Sequence, residues 1–176
     1  IPDFSLVPAP RRDLVTGSRY FCIWAGPARS RIPTLFPETA TLRTSVGCPH
    51  RCSFCVVHHL AHGHYLEREP EDVVEEIAGL PQEHVYFLDD EMFINRKRKE
   101  AMARLLLARG IKKIYHGWAR SDTIVRHADV LRLWKQAGLS SLFVGLESLE
   151  AHKLDDYHKG LGPEVNERAV ALLGAT

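Results

Sequence analysis

Thr41-Leu42-Arg43-Thr44-Ser45-Val46 sets Leu42, Thr44 and Val46 on one face. It then runs through Gly47 into Cys48-Pro49-His50-Arg51-Cys52-Ser53-Phe54-Cys55. A period of two marks an extended strand, so this stretch predicts a first strand whose C-terminal end delivers three thiols spaced C-x3-C-x2-C. Strand and helix patterns then alternate. Glu69–Leu80 predicts a helix: Pro70 suits the first turn, acidic Glu71 and Asp72 follow, and Val73, Ile77 and Leu80 recur at helical spacing. His84–Leu88 is a short apolar strand closed by Asp89-Asp90. Arg96–Arg109 is a second helix, with Met102, Leu105 and Leu106 inward and Gly110 as its stop. Ile111–Ala119 makes a third strand running into Arg120-Ser121-Asp122. Asp129–Ala137, with Val130, Leu133, Trp134 and Ala137 on one face, is a third helix closed by Gly138. Ser140–Leu146 is a fourth strand, and Pro163–Leu173 a last helix with Val165, Ala169 and Leu172 inward. Short apolar strands in the order βαβαβαβα imply a parallel sheet built from right-handed crossovers.

The chemically able residues collect where each predicted strand ends. Cys48 follows the first, Asp89 and Asp90 the second, Arg120, Ser121 and Asp122 the third, Glu147 and Ser148 the fourth. In parallel α/β folds the βα loops converge at this edge and carry the site. Asp and Ser also cap helices, but Arg120 has no acceptor to offer a helix N-terminus. Capping therefore does not explain the series.

The cysteines narrow the chemistry. Structural zinc takes four ligands, usually as two C-x2-C pairs or one pair with two histidines. Here three thiols crowd together, and the fourth cysteine, Cys22, stands apart. Disulfide frameworks spread their cysteines to staple distant loops, so a tight triplet reads as a ligand set in a reducing compartment, the cytosol. Iron–sulfur clusters accept thiolates at such spacings, and a cubane with three protein ligands leaves one iron open for chemistry. The alternative is a non-catalytic zinc-binding module in which a nearby histidine joins Cys48, Cys52 and Cys55. His58, His59, His62 and His64 follow the triplet and are expected to line the mouth of the site.

Composition excludes other classes. The 176 residues suit roughly one domain of about 100–200 residues. With 45% hydrophobic and 26% charged residues, the chain can bury a core. Lys+Arg at 23 against Asp+Glu at 22 leave no basic field for a nucleic-acid backbone. Nothing approaches the ~20 apolar residues of a membrane span. Residues 1–40 differ from the rest: Pro2, Pro8, Pro10, Pro27, Pro33 and Pro37 interrupt any period. They predict an irregular lead-in, with at most a short strand at 20–24, ahead of a domain over residues 41–176. Ile1-Pro2-Asp3-Phe4 shows neither an initiator Met nor a signal-like segment, and is expected to be the cut end of a longer chain.

C-x3-C-x2-C with an aromatic before its last cysteine, at the end of a first strand, resembles the radical S-adenosylmethionine (SAM) superfamily. The likeness extends over about Thr41 to Leu173. It implies a partial parallel (β/α) barrel of the radical SAM type, with four βα units readable of the six such barrels usually have. It also implies a [4Fe-4S] cluster on Cys48, Cys52 and Cys55 that chelates SAM at its open iron. One electron, from a donor such as flavodoxin or ferredoxin, would cleave SAM to methionine and a 5′-deoxyadenosyl radical. Phe54 then stands beside the adenine. Asp89, Asp90 and Glu91 occupy the place that holds the SAM amino group, here Asp-Asp-Glu where the family usually has a Gly-Gly-Glu-like run. Arg120 and Ser121 would meet the SAM carboxylate, and Glu147 and Ser148 would reach the ribose or methionine end.

The Pro2-Asp3-Phe4 segment, Asp89-Asp90 with Phe93, Arg120 with Asp122, and Val144–Ser148 are similar to a subgroup with an upstream cobalamin-binding domain. Cobalamin is thus a further implied cofactor, through a domain outside this sequence. Asp156-Tyr157-His158 has Leu161 where a cobalamin-ligand motif needs glycine, and is expected to be surface loop. Arg96-Lys97-Arg98-Lys99 is expected to be a solvated helix face, and Cys22 an idle thiol. Trp24, Trp118 and Trp134 are expected to be core or rim aromatics.

Overall fold

A computed structural model describes Pro8, residues 10–15 and residues 37–175. The expectations for Cys22, Trp24 and a strand at 20–24 lie outside the described residues. Along the chain run β1 (Thr39–Leu42), β2 (Ser45–Val46), α1 (Val57–Leu60), β3 (Leu66–Glu67), α2 (Pro70–Ala78), β4 (His84–Phe87) and α3 (Arg96–Ala108). They are followed by β5 (Ile114–Arg120), α4 (Ser121–Arg126), α5 (Ala128–Ala137), β6 (Leu139–Gly145), α6 (Ala151–Asp156) and α7 (Pro163–Gly174). Strands β1, β4, β5 and β6 form one parallel sheet in that order, while β2 and β3 pair antiparallel. The four strands and four long helices expected from periodicity are all present, within a few residues at each end.

The first strand departs from expectation for a clear reason. It spans Thr39–Leu42 rather than Thr41–Val46, because Asp89, just past β4, captures the next backbone groups. Its Oδ1 accepts from the N–H groups of Thr44 (2.6 Å) and Ser45 (2.9 Å). Its Oδ2 accepts from the Thr44 hydroxyl (2.5 Å) and Lys99 Nζ (2.9 Å). Both side chains of this ion pair are fully buried. Burial pushes the Asp89 carboxyl pKa up, but the Lys99 charge and the Thr44 hydrogen bonds more than reverse this and hold it below the usual range. Ser45 and Val46, turned away from the sheet, pair instead with Leu66 and Glu67.

The basic run divides as well. Arg96 and Lys97 are exposed as expected, but Arg98 and Lys99 are buried. Arg98 donates to the carbonyls of Arg68 (2.6 Å) and Thr44 (2.9 Å). Cations in a first helical turn oppose the helix dipole; these two sit there because Asp89 and the Thr44 carbonyl receive them.

The core joins Leu42, Val85, Phe87 and Tyr115 of the sheet to Ile77, Met102 and Leu106 of the helices. Trp134 is its centre, edge-on to Phe87 and Tyr115 at 5.5 Å each, with its indole N–H on the Lys99 carbonyl at 2.8 Å. By the alternation of a strand, the opposite face carries His84, Tyr86, His116, Trp118, Ser141 and Phe143. There His84 Nδ1 lies 3.0 Å from His116 Nε2, and His116 Nδ1 lies 2.7 Å from Ser141 Oγ. The N···N contact has room for one proton. Burial, with the neighbouring His84 adding to it, drives the His116 pKa from 6.5 down to about 4.

Part of the lead-in docks on this frame: Arg12 pairs with Glu76 at 2.5 Å and donates to the Thr41 carbonyl at 2.7 Å. Among the described residues no helix is long and apolar enough to cross a membrane.

Two outcomes follow. Asp89→Ala strands the Lys99 ammonium and two backbone donors, and should cost about 3–5 kcal/mol in urea unfolding at neutral pH; a loss below about 1 kcal/mol refutes its central place. For His116, the unfolded ring titrates near 6.5 and the folded ring near 4. Its contribution is therefore complete above about 6.5 and is lost as pH falls through that window, where the unfolded state binds more protons. His116→Gln should flatten the fall of the urea midpoint between those two values, and an unchanged slope excludes this assignment.

Candidate active site

The ends of β4, β5 and β6 and the loop after β2 enclose a cleft of about 240 Å³. Cys48, Cys52 and Cys55 all line it. So do Phe54, Asp90, Glu91, Arg120 and Glu147, as the strand-end reading expects. Asp89, Ser121 and Ser148 do not line it. Asp89 is committed to Thr44, Ser45 and Lys99. Ser121 is buried at the start of α4, and Ser148 Oγ accepts from the Glu150 N–H at 3.0 Å.

The histidines sort differently from expectation. His58, His59, His62 and His64 lie on α1 and the turn to β3 and do not line the cleft, whereas His50, inside the cysteine motif, does. The His58 ring packs over Gly63 and edge-on to His59 instead.

The loop carrying the cysteines is held at both ends. Gly47, with φ +90°, donates its N–H to Asp90 Oδ2 at 2.9 Å. A Cβ there would fall 2.1 Å from the His64 carbonyl oxygen, so the position admits only glycine. Further on, Ser53 donates its N–H to the Tyr157 carbonyl (3.0 Å) and its hydroxyl to the Asp156 carbonyl (2.9 Å). Asp156-Tyr157-His158 is therefore the end of α6 and its following turn, packed on the cysteine loop. Asp156 and His158 are exposed, as expected of a surface segment, but the stretch starts inside a helix and grips the cysteine loop.

The charged groups differ in how far they are committed. Glu91 Oε1 accepts from the Phe93 N–H (3.0 Å) and the Thr123 hydroxyl (2.9 Å). Its buried Oε2 has no partner among the described residues. Burial raises the Glu91 pKa above the usual carboxylate range, and these hydrogen bonds offset only part of the rise. Arg120 donates from Nε to Asp122 (2.8 Å), from Nη2 to the Lys159 carbonyl (2.7 Å) and from Nη1 to Cys52 Sγ (3.3 Å). Burial pushes the Asp122 pKa up, and Arg120, with His50 and Arg126, outweighs it and holds the carboxyl low.

Lys159, Trp118 and Phe143 also line the cleft, and the sequence reading did not single them out as site residues. Lys159, 4% exposed, donates from Nζ to the Gly145 carbonyl and Glu147 Oε1, both at 3.1 Å, and lies 5.8 Å from the Phe54 ring centroid. No periodicity singles it out. Trp118 and Phe143, 4.5 Å apart, form an apolar wall. They share strand parity with Arg120 and Gly145, so stepping back two residues from each strand end finds both.

The donor set suits a cluster. Burial pushes the Cys48 thiol up to about 11, so ionisation there needs a cation at the sulfur. In a cubane each thiolate takes a different iron, so three cysteines suit three of its corners.

The family model of the radical SAM superfamily matches residues 42–175. The chain belongs to the radical SAM superfamily. It is 29% identical over 151 residues to the hopanoid C-3 methylase of Methylococcus capsulatus, covering 85% of this chain and 27% of that protein. It is 34% identical over 133 residues to the anaerobic magnesium-protoporphyrin IX monomethyl ester cyclase of Cereibacter sphaeroides, covering 72% and 22% respectively. The radical SAM chain thus spans about a quarter of the length of these curated relatives. The cobalamin-dependent S-adenosylmethionine radical enzyme OxsB, solved with aqua-cobalamin, matches with a TM-score of 0.67 at 27% identity, over 77% of this chain and 22% of that one. The methyltransferase TsrM of Kitasatospora setae, solved with cobalamin and a [4Fe-4S] cluster, shares the fold at a TM-score of 0.65 and 22% identity, over 77% and 28%. The resemblance carried by the cysteine motif and the parallel α/β architecture are both borne out.

Gly47 offers a direct check on the loop. Gly110 has φ +62° with open space around it, so Gly110→Ala should cost about 1–2 kcal/mol. Gly47→Ala adds the clash with His64 and should cost clearly more in urea unfolding. Equal losses would show that the loop yields freely.

Proposed function

We propose that this chain is the SAM- and cluster-binding core of a radical SAM enzyme, in a domain of residues 41–176 preceded by a lead-in over 1–40. The observation that carries the reading is one cleft lined by three cysteines and by Glu91, whose buried Oε2 has no partner among the described residues. Cys48, Cys52 and Cys55 would hold the [4Fe-4S] cluster. Bound there, cluster and SAM supply one-electron cleavage of the sulfonium to methionine and a 5′-deoxyadenosyl radical.

The chain's own residues position that chemistry. Glu91 Oε2 accepts from the SAM ammonium, and a cation there opposes the effect of burial and favours the ionised carboxylate. Asp90 fixes Gly47 and thereby the entry to Cys48. Phe54 supports the adenine, and Glu147 reaches the ribose or methionine end. Lys159 meets the SAM carboxylate, while Arg120 is turned to Asp122, the Lys159 carbonyl and Cys52. Trp118 and Phe143 present an apolar wall that keeps water from a reactive radical.

The relatives are a methylase and a cyclase, which supports radical methyl transfer or ring closure as the activity of the whole protein. The OxsB likeness supports cobalamin, held by a domain outside this sequence. Electrons would come from a flavodoxin or ferredoxin in the cytosol.

Anaerobic reconstitution with iron and sulfide, followed by electron paramagnetic resonance of the reduced protein, tests the reading. One oxygen-sensitive cluster per chain is expected, with a spectrum that changes on adding SAM. Cys48→Ala, Cys52→Ala and Cys55→Ala should each abolish it, while Cys22→Ala should not. Glu91→Gln should keep iron and sulfide yet weaken SAM binding on the order of tenfold. Stoichiometric zinc with no cluster signal would sink the proposal.

A further inference from the structure

Arg120 carries more than a strand-end role. The residue is 7% exposed, and two of its donors are fixed by Asp122 and the Lys159 carbonyl. The third, Nη1, points at Cys52 Sγ from 3.3 Å. A planar fork held at two points leaves its remaining edge little freedom. The Lys159 carbonyl is itself anchored, because the Lys159 N–H donates to the Leu154 carbonyl at 3.0 Å and Nζ binds Gly145 and Glu147. The same turn grips Ser53, next to Cys52, through the Tyr157 and Asp156 carbonyls. Cys52 is thus held from two sides: the turn after α6 grips its backbone neighbour, and Arg120 of β5, anchored by the same turn, meets its sulfur.

We propose that Arg120 is a positioning residue that tunes the cluster: it donates to Cys52 Sγ and raises the cluster's reduction potential, and the turn after α6 locks it in that pose. This rests on the cluster reading above. Reduction places one electron on the cluster with no proton moved. A hydrogen-bond donor and a positive charge at a ligand sulfur stabilise that added negative charge, and so favour the reduced form. Asp122 offsets part of the charge but none of the directed N–H···S contact. In this arrangement Arg120 does not bind the SAM carboxylate.

The test is a redox titration of reconstituted chains, followed by electron paramagnetic resonance, with SAM affinity measured on the same samples. Arg120→Met should lower the reduction equilibrium constant at least about tenfold, about 59 mV for a one-electron couple. Arg120→Lys should fall between, since it keeps the charge but one ammonium cannot span Asp122, the Lys159 carbonyl and Cys52. SAM affinity should stay within about twofold of wild type in both. Unchanged potential in Arg120→Lys and Arg120→Met overturns the proposal, and about tenfold weaker SAM binding with that result assigns Arg120 to SAM instead. Failure of both variants to take up iron and sulfide, where wild type does, makes Arg120 a purely structural residue and also overturns it. A wild-type chain that loads no cluster overturns the cluster reading itself.

Discussion

A carboxylate buried just past β4 decides where the cysteine loop begins. Asp89 takes two backbone N–H groups, a hydroxyl and an ammonium, which uses nearly all its acceptor capacity. The consequence is topological: the chain leaves the parallel sheet at Leu42 and turns into the short antiparallel pair that leads to Gly47. Each of the next two acidic residues then takes a different neighbour. Asp90 holds the Gly47 N–H, and Glu91 holds Phe93 and Thr123. Three consecutive acids at one strand end thereby tie down the first strand's exit, the cysteine loop's entry and the start of α4. The third still has an oxygen to offer a ligand. Burying a charge is tolerable only with such complete pairing, and the Asp89–Lys99 contact supplies it.

The cleft's other wall is built by elements distant in sequence. Arg120 at the end of β5 reaches the turn after α6, which in turn reaches back to Ser53. Arg120 pairs with Asp122 and Lys159 with Glu147, so each cation is paired before any ligand arrives. Electrostatic interactions in such a partly buried setting are several-fold stronger than in water, so the order of pairing decides which groups remain available. By that criterion Glu91 and Lys159 keep capacity for a ligand, whereas Asp89 has spent its own within the protein and Arg120 is turned to Asp122, the Lys159 carbonyl and Cys52.

Much of this was legible in the sequence, and the boundary is instructive. Helices α2, α3, α5 and α7 and the four parallel strands follow from apolar periodicity, because burial of one face is what that periodicity records. The cysteine spacing and the residues after each strand located the cleft, because parallel topology sends every strand's C-terminal end to the same edge. What failed were assignments that depend on long-range partners. Thr44 continues the alternation of a strand, yet Asp89 claims its backbone. Arg98 and Lys99 look like half of a solvated basic run, yet the Thr44 carbonyl and Asp89 receive them. The segment from Asp156 to Lys159 carries no local signal, since what ties it to Ser53 and Arg120 is its backbone carbonyls. Periodicity records which face is buried, and nothing in it records which polar group meets which.

Glu147 shows how the site sustains an unfavourable local conformation. Its φ of +63° is left-handed, a region that disfavours a residue with a Cβ by about 1–2 kcal/mol. Such a conformation persists only where its surroundings over-determine it. Here Asn166, fully buried on α7, donates to the carbonyls of both flanking residues, Leu146 at 2.9 Å and Ser148 at 2.8 Å. Lys159 meanwhile fixes the carboxylate of Glu147 and the Gly145 carbonyl at once. Backbone and side chain are thus pinned by two different elements. The strained turn aims Glu147 into the cleft, where a relaxed extended continuation of β6 would carry the chain past it. A helix on the outside of the fold and the turn before it therefore set the geometry of a residue at the cleft, coupling α7 to the site without touching the ligand.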